Sequence, residues 1–197
     1  MTEKHTHEGS ETPSSTNVLC ACPAIGTSKG KHCRHMLTRE GPPGTVVGVT
    51  VATSPGEQMS DWSNVIDPVT TNLSFVDVSH AGRSAAMSAD GFGGQNGALI
   101  DVVEIETIDL HQLGSEIATK LRQASADPVV LCFDSLTDIL QMESQETVHR
   151  FLNVLTARVK ENGAYAHYHI DSDGHPSQTI ETMAPIFDTT ITVGSDP

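Results

Sequence analysis

The stretch "DPVVLCFDSLTDIL", residues 127–140, is an apolar run that ends on an acid. From Val129 to Phe133 it offers apolar, partly β-branched side chains to both faces, as a strand must when helices cover both sides of its sheet. Asp134 then stands at the C-terminal edge of that strand, where open α/β sheets collect their ligands. The residues alone leave two roles for Asp134: a carboxylate that holds magnesium through water, or a cap for the turn that follows.

Six more runs of this kind lie outward from it: Val18 to Cys22, Val46 to Ala52, Leu73 to Val78, Val102 to Ile105, Tyr165 to Ile170 and Thr189 to Val193. Between them Leu110, Leu113, Ile117 and Leu121 repeat at helical spacing, as do Val148, Phe151, Leu152, Leu155 and Val159. The second of these helices is expected to start after Ser144 and to stop near Gly163. Strand runs alternating with helices predict a single α/β domain over residues 17–197, three layers deep with a mainly parallel sheet. Residues 1–16 carry no aliphatic or aromatic side chain after Met1 and read as a disordered acidic tail. Residues 81–98, rich in Gly, Ser and Ala, read as a flexible insert.

Acidic residues outnumber basic ones 25 to 11, for a formal charge of -14, and only five of the basic residues are lysines. Such a surface cannot cluster the cations that phosphodiester backbones need, so nucleic acid is excluded as a partner. Self-repulsion of this size is tolerated where concentrated salt screens it, with a Debye length of about 3 Å at 1 M. With few aromatics and many Thr, Ser and Asp, the composition points to a halophile that accumulates salt. No run reaches the roughly 18 apolar residues of a membrane span, and the N-terminus lacks the features of a signal peptide. The expectation is a cytoplasmic protein with four reduced cysteines.

The strand "VVLCFDSLTDIL", followed by "ETVHRFLNVLTARVKENGAYAHYHID" as helix and strand, resembles the RecA-type ATPase core in its KaiC-like branch. More narrowly it is similar to haloarchaeal proteins that carry this core in degenerate form, from about Asn17 to Val193. The resemblance implies a RecA-like strand order and, for an intact member, ATP and magnesium at the loop after the first strand.

That loop is altered. A Walker A motif, GxxxxGK followed by Ser or Thr, cradles phosphates on backbone amides, neutralises them with the lysine and binds the metal through the hydroxyl. Counting back from Gly30 and Lys31 places Ile25 where the first glycine belongs; Gly26 is one residue late, and His32 takes the hydroxyl's place. KaiC-like enzymes also follow the next strand with two glutamates and a Ser-Pro. Here Ser54-Pro55 remains, but Ala52 and Thr53 replace the acids, and neither can take a proton from water. Glu57 is expected in the opening turn of the next helix, serving its dipole. What remains of a nucleotide site is Gly26, Gly30, Lys31 and Asp134, with no catalytic residue.

Two metal-ligand patterns are also present. His167, His169 and Asp171 share one face of a strand, with His175 four residues on, a set suited to zinc or nickel; the alternative is a polar strand edge with hydrogen-bonded histidines. Cys20, Cys22, Cys33 and His35 also include metal-ligating types, but their spacing suits structural zinc poorly, and buried thiols explain Cys20 and Cys22 as well. The expected function is a catalytically inactive KaiC-like domain that acts through protein contacts in signalling or regulation, with an active KaiC-like relative as one candidate partner. A non-hydrolysing nucleotide sensor and a small metal-binding enzyme are the alternatives.

Overall fold

The computed structural model describes residues 17–194 apart from 26, 52 and 79–99. The expected tail over 1–16 and insert over 81–98 lie outside the described residues. Seven strands alternate with helices: β1 Asn17–Cys22, α1 Ser28–Leu37, β2 Thr45–Thr50, α2 Pro55–Trp62, β3 Asn72–Val78, β4 Ile100–Ile105, α3 Leu110–Gln123, β5 Val129–Asp134, α4 Leu136–Met142, α5 Gln145–Glu161, β6 Tyr165–Asp171, α6 Ser177–Met183 and β7 Thr189–Thr192. Each of the seven apolar runs became a strand. All pairings are parallel, in the order β4-β3-β2-β5-β6-β1-β7. This is a three-layer RecA-like α/β fold.

Alternation along the strands divides the core in two. Leu19, Val47, Leu131 and Tyr168 face α3, α4 and α5, whose Leu113, Ile117, Ile139, Leu152 and Leu155 complete that layer. Val18, Cys20, Val46, Val130 and Cys132 face the other way, toward Cys33, Met36 and Leu37 of α1 and Trp62 of α2. Gly48 on β2 is required here: a Cβ would stand 2.5 Å from the Phe75 ring and 3.2 Å from Trp62. As expected, α5 is capped by Ser144, which accepts from Thr147 N, and it ends before Gly163, whose φ of +64° suits glycine.

Strand order decides what α1 covers. β2 pairs with β5, two places beyond β1's neighbour β6, so the chain leaving β1 passes over β6 and β5 before it enters β2. α1 lies on that crossing. The registers Thr50↔Asp134 and Cys22↔Asp171 bring the strand ends to one edge of the sheet.

Candidate functional site

At that edge Asp134 is 5% exposed and faces a cleft of about 350 Å³. Its partner is Lys29, with Nζ 2.6 Å from Oδ1. The amide of Gln58, oriented to satisfy both of its neighbours, donates to Asp134 Oδ2 at 3.3 Å and accepts from Trp62 Nε1 at 2.9 Å. Burial would favour loss of the Lys29 proton, but the Asp134 charge outweighs it and holds the ammonium above its ordinary value. The cleft therefore closes on a neutral pair.

Lys29, not Lys31, faces Asp134. α1 begins at Ser28, so Lys29 lies in its first turn and points back over the strand ends, whereas Lys31 is exposed. Gly30 lines the cleft beside Lys29. Gly26 lies outside the described residues. The residue after Lys29 is Gly30, which has no hydroxyl to offer a metal. Thr53 lines the cleft where the resemblance would place an acid; Ala52 lies outside the described residues. Glu57 stands in the first turn of α2, as expected, with its carboxylate accepting from Ser54 N at 2.8 Å and Ser54 Oγ accepting from Glu57 N at 3.3 Å. That capping box directs the acid to the helix end.

The four residues of the C-terminal metal set are not brought together. β6 is an interior strand of the sheet, and His167 and His169 are wholly buried beneath α1. Asp171 is engaged in bracing the loop after β1, accepting at Oδ1 from Ala24 N and Asp173 N, each at 3.0 Å. His175 lies in the turn beyond β6. Of the other set, Cys20 and Cys22 are buried on β1, His35 is exposed, and Cys33 from α1 and Cys22 from β1 come beside the histidines.

What the fold assembles instead is Cys33, Cys132, His167 and His169, all buried, with one ligand atom from each within 4.8 Å of the others. Cys33 Sγ lies 3.7 Å from Cys132 Sγ and 3.6 Å from His167 Nε2. The hydrogen bond with Cys132, aided by the imidazoles, pulls the Cys33 thiol well below its ordinary value against the effect of burial. Burial pushes His169 down, but the charge at Cys33 and hydrogen bonds with the Cys22 and Cys33 sulfurs carry it up to about 10. These four side chains could hold a soft or borderline metal ion. One signal for the missed residues was present in the sequence: Cys132 shares a strand face with Asp134.

Fold and strand-end cleft together define a RecA-like α/β domain. The chain belongs to the Family of unknown function (DUF7504), whose profile matches residues 15–193. A solved protein from Pyrococcus horikoshii OT3, described as a structural study, is similar in fold, with a TM-score of 0.57 and 14% identity, covering 91% of this chain and 82% of that one. No curated protein sequence matches significantly. Among the described residues no helix is long and apolar enough to cross a membrane.

Proposed function

We propose that this is a catalytically silent RecA-like domain of KaiC-like, haloarchaeal type that works through protein contacts in regulation or signalling. The observation that carries the reading is the Lys29–Asp134 pair: the cation that would hold a phosphate and the anion that would hold magnesium are engaged with each other. No hydroxyl follows the lysine, and the first carboxylate after β2, Glu57, caps a helix, while Asp61 at the end of α2 is the one that lines the cleft with Asp134. Turnover needs all three functions at once.

A groove of about 660 Å³ between α3 and α5 supports the contact role. Its floor includes Phe151 and Leu155, Val154 beside them is 61% exposed, and Arg122, Arg150 and Arg158 rim it, three of the chain's six arginines. On a surface this acidic, such a rim suits an acidic amphipathic helix, the kind a salt-adapted relative would present.

The test is inorganic phosphate release from ATP and magnesium in molar KCl. The expected rate equals background and is unchanged in Lys29→Ala and Asp134→Ala; steady release that either substitution abolishes refutes the proposal. The second reading, a sensor that binds nucleotide without turning it over, is favoured by the survival of Lys29, Gly30 and Asp134 around one cleft. Trp62, the chain's one tryptophan, is joined to Asp134 through Gln58 and reports on it: a saturable fluorescence change with ATP, accompanied by a rise in Tm, establishes the sensor.

A further inference from the structure

The sheet face beneath α1 carries sulfur and imidazole where a hydrocarbon core would suffice. All four cysteines of the chain are buried here, three on the strands and Cys33 on α1, and Cys33 and Cys132 meet His167 and His169. We propose that Cys33, Cys132, His167 and His169 form a closed tetrahedral zinc site that pins α1 to the sheet.

Geometry supports it first. Two sulfurs at about 2.3 Å from one zinc in tetrahedral arrangement lie roughly 3.8 Å apart, and a sulfur and an imidazole nitrogen roughly 3.6 Å apart. The observed separations are 3.7 Å for Cys33 to Cys132 and 3.6 Å for Cys33 to His167 Nε2. The His167 and His169 ring centres stand 5.1 Å apart at an interplanar angle of 85°, edge to face and not stacked, a separation that two imidazoles on one tetrahedral ion would also show.

Unpartnered nitrogens are the second support. Buried polar atoms are almost always hydrogen-bonded. Yet Nδ1 of His167 and both ring nitrogens of His169 meet no hydrogen-bond partner of good geometry among the described residues, the thiols of Cys22 and Cys33 being what stands beside His169, although the two side chains are 0% and 1% exposed. A disulfide between Cys33 and Cys132 would leave both histidines without a purpose. A set of two thiolates and two imidazoles selects zinc among the common divalent ions, and a site with four protein ligands and no open position is structural.

Three ligands stand on adjacent interior strands, Cys132 on β5 and His167 and His169 on β6, so their spacing is set by the sheet. Only Cys33 arrives from a helix. Zinc there would hold the middle of α1 down on the sheet. The inference stands apart from the loss of turnover, because metal content and phosphate release are measured separately.

The experiment uses the full chain purified in molar KCl with reductant and no added metal. Zinc is counted per chain, then stripped with chelator and replaced by cobalt. The expected results are about one zinc per chain and a cobalt spectrum with tetrahedral d–d bands and thiolate charge transfer, which zinc displaces. Cys33→Ser and Cys132→Ser should each reduce the charge-transfer band and weaken zinc by more than about a hundredfold, beyond the loss typical of an outer-shell partner. Cys20→Ala, a buried thiol of the same face outside the four, should leave the spectrum intact. His169→Cys keeps a soft ligand and should restore tetrahedral binding with a stronger thiolate band, which separates ligation from folding failure. The proposal is overturned if the stripped, folded protein binds cobalt only in octahedral form, if Cys33 and Cys132 are disulfide-linked as purified, or if the spectrum survives loss of both thiols.

Discussion

Breaking the Lys29–Asp134 pair from either side should have unequal effects, and the inequality follows from exposure. The Asp134 side chain is 7% exposed and that of Lys29 30%. Exposed pairs contribute about 0.2–1 kcal/mol, whereas removing one partner of a fully buried pair costs about 3–5 kcal/mol. In Lys29→Met the stranded charge is the buried carboxylate, with the Gln58 amide left to face it among the described residues, so the cost should approach the buried limit, about 2–4 kcal/mol. In Asp134→Asn the stranded ammonium regains water and the amide can still meet Gln58, so about 1–2 kcal/mol is expected. For a chain of this size that is a fall in Tm of roughly 5–15 °C for the first variant and about half as much or less for the second. A double-mutant cycle by urea unfolding should give a coupling of about 1–3 kcal/mol. The coupling should persist in molar KCl, because partners in contact are closer than the roughly 3 Å screening length there. Losses below about 0.5 kcal/mol in both variants, or a larger loss for Asp134→Asn, would refute the view that the cleft is locked by this pair.

Other outcomes are fixed by packing and by charge. Gly48→Val drives a side chain into the Phe75 and Trp62 rings and should cost at least about 1–3 kcal/mol by calorimetry; a stability equal to the parent's would contradict the close approach. At Asp188 burial slightly opposes the charge, but Lys160 and the Asn17 amide outweigh it and hold the carboxyl below its ordinary value. The folded state then binds fewer protons than the unfolded one between its own value and about 3.9, so this stability is present above about pH 4 and lost as the pH falls. Asp188→Asn should flatten that acid decline, and an unchanged slope would count against the pairing.

The sheet was legible because its inner strands are buried on both faces, and such strands must be apolar without interruption, as Val129 to Phe133 are. Helix ends were legible where the signal is local, at the Ser144 cap and at Glu57 in the first turn of α2; the capping box that joins Glu57 to Ser54 came from the structure. The cleft was half legible. Asp134 was marked by its position at a strand end, but motif spacing drew attention to Lys31, whereas the start of α1 at Ser28 gives the task to Lys29. The cysteine and histidine cluster was beyond reach as a set. His167 and His169 lie on one strand and announce themselves by period, but Cys33 and Cys132 reach them only through strand order, which spacing along the chain does not encode.

The passage of α1 over β6 and β5 has a consequence for how the molecule is made. Cys33 meets Cys132 across 99 positions of sequence and His167 across 134. No early fragment can gather these side chains: a chain that has grown only as far as Gly163 owns both thiols and neither imidazole. The cluster closes only after the central strand β6 has slid between β5 and β1. Whatever occupies it rewards completion of the sheet and lends nothing to its beginnings, so the site acts as a late inspection of the finished fold.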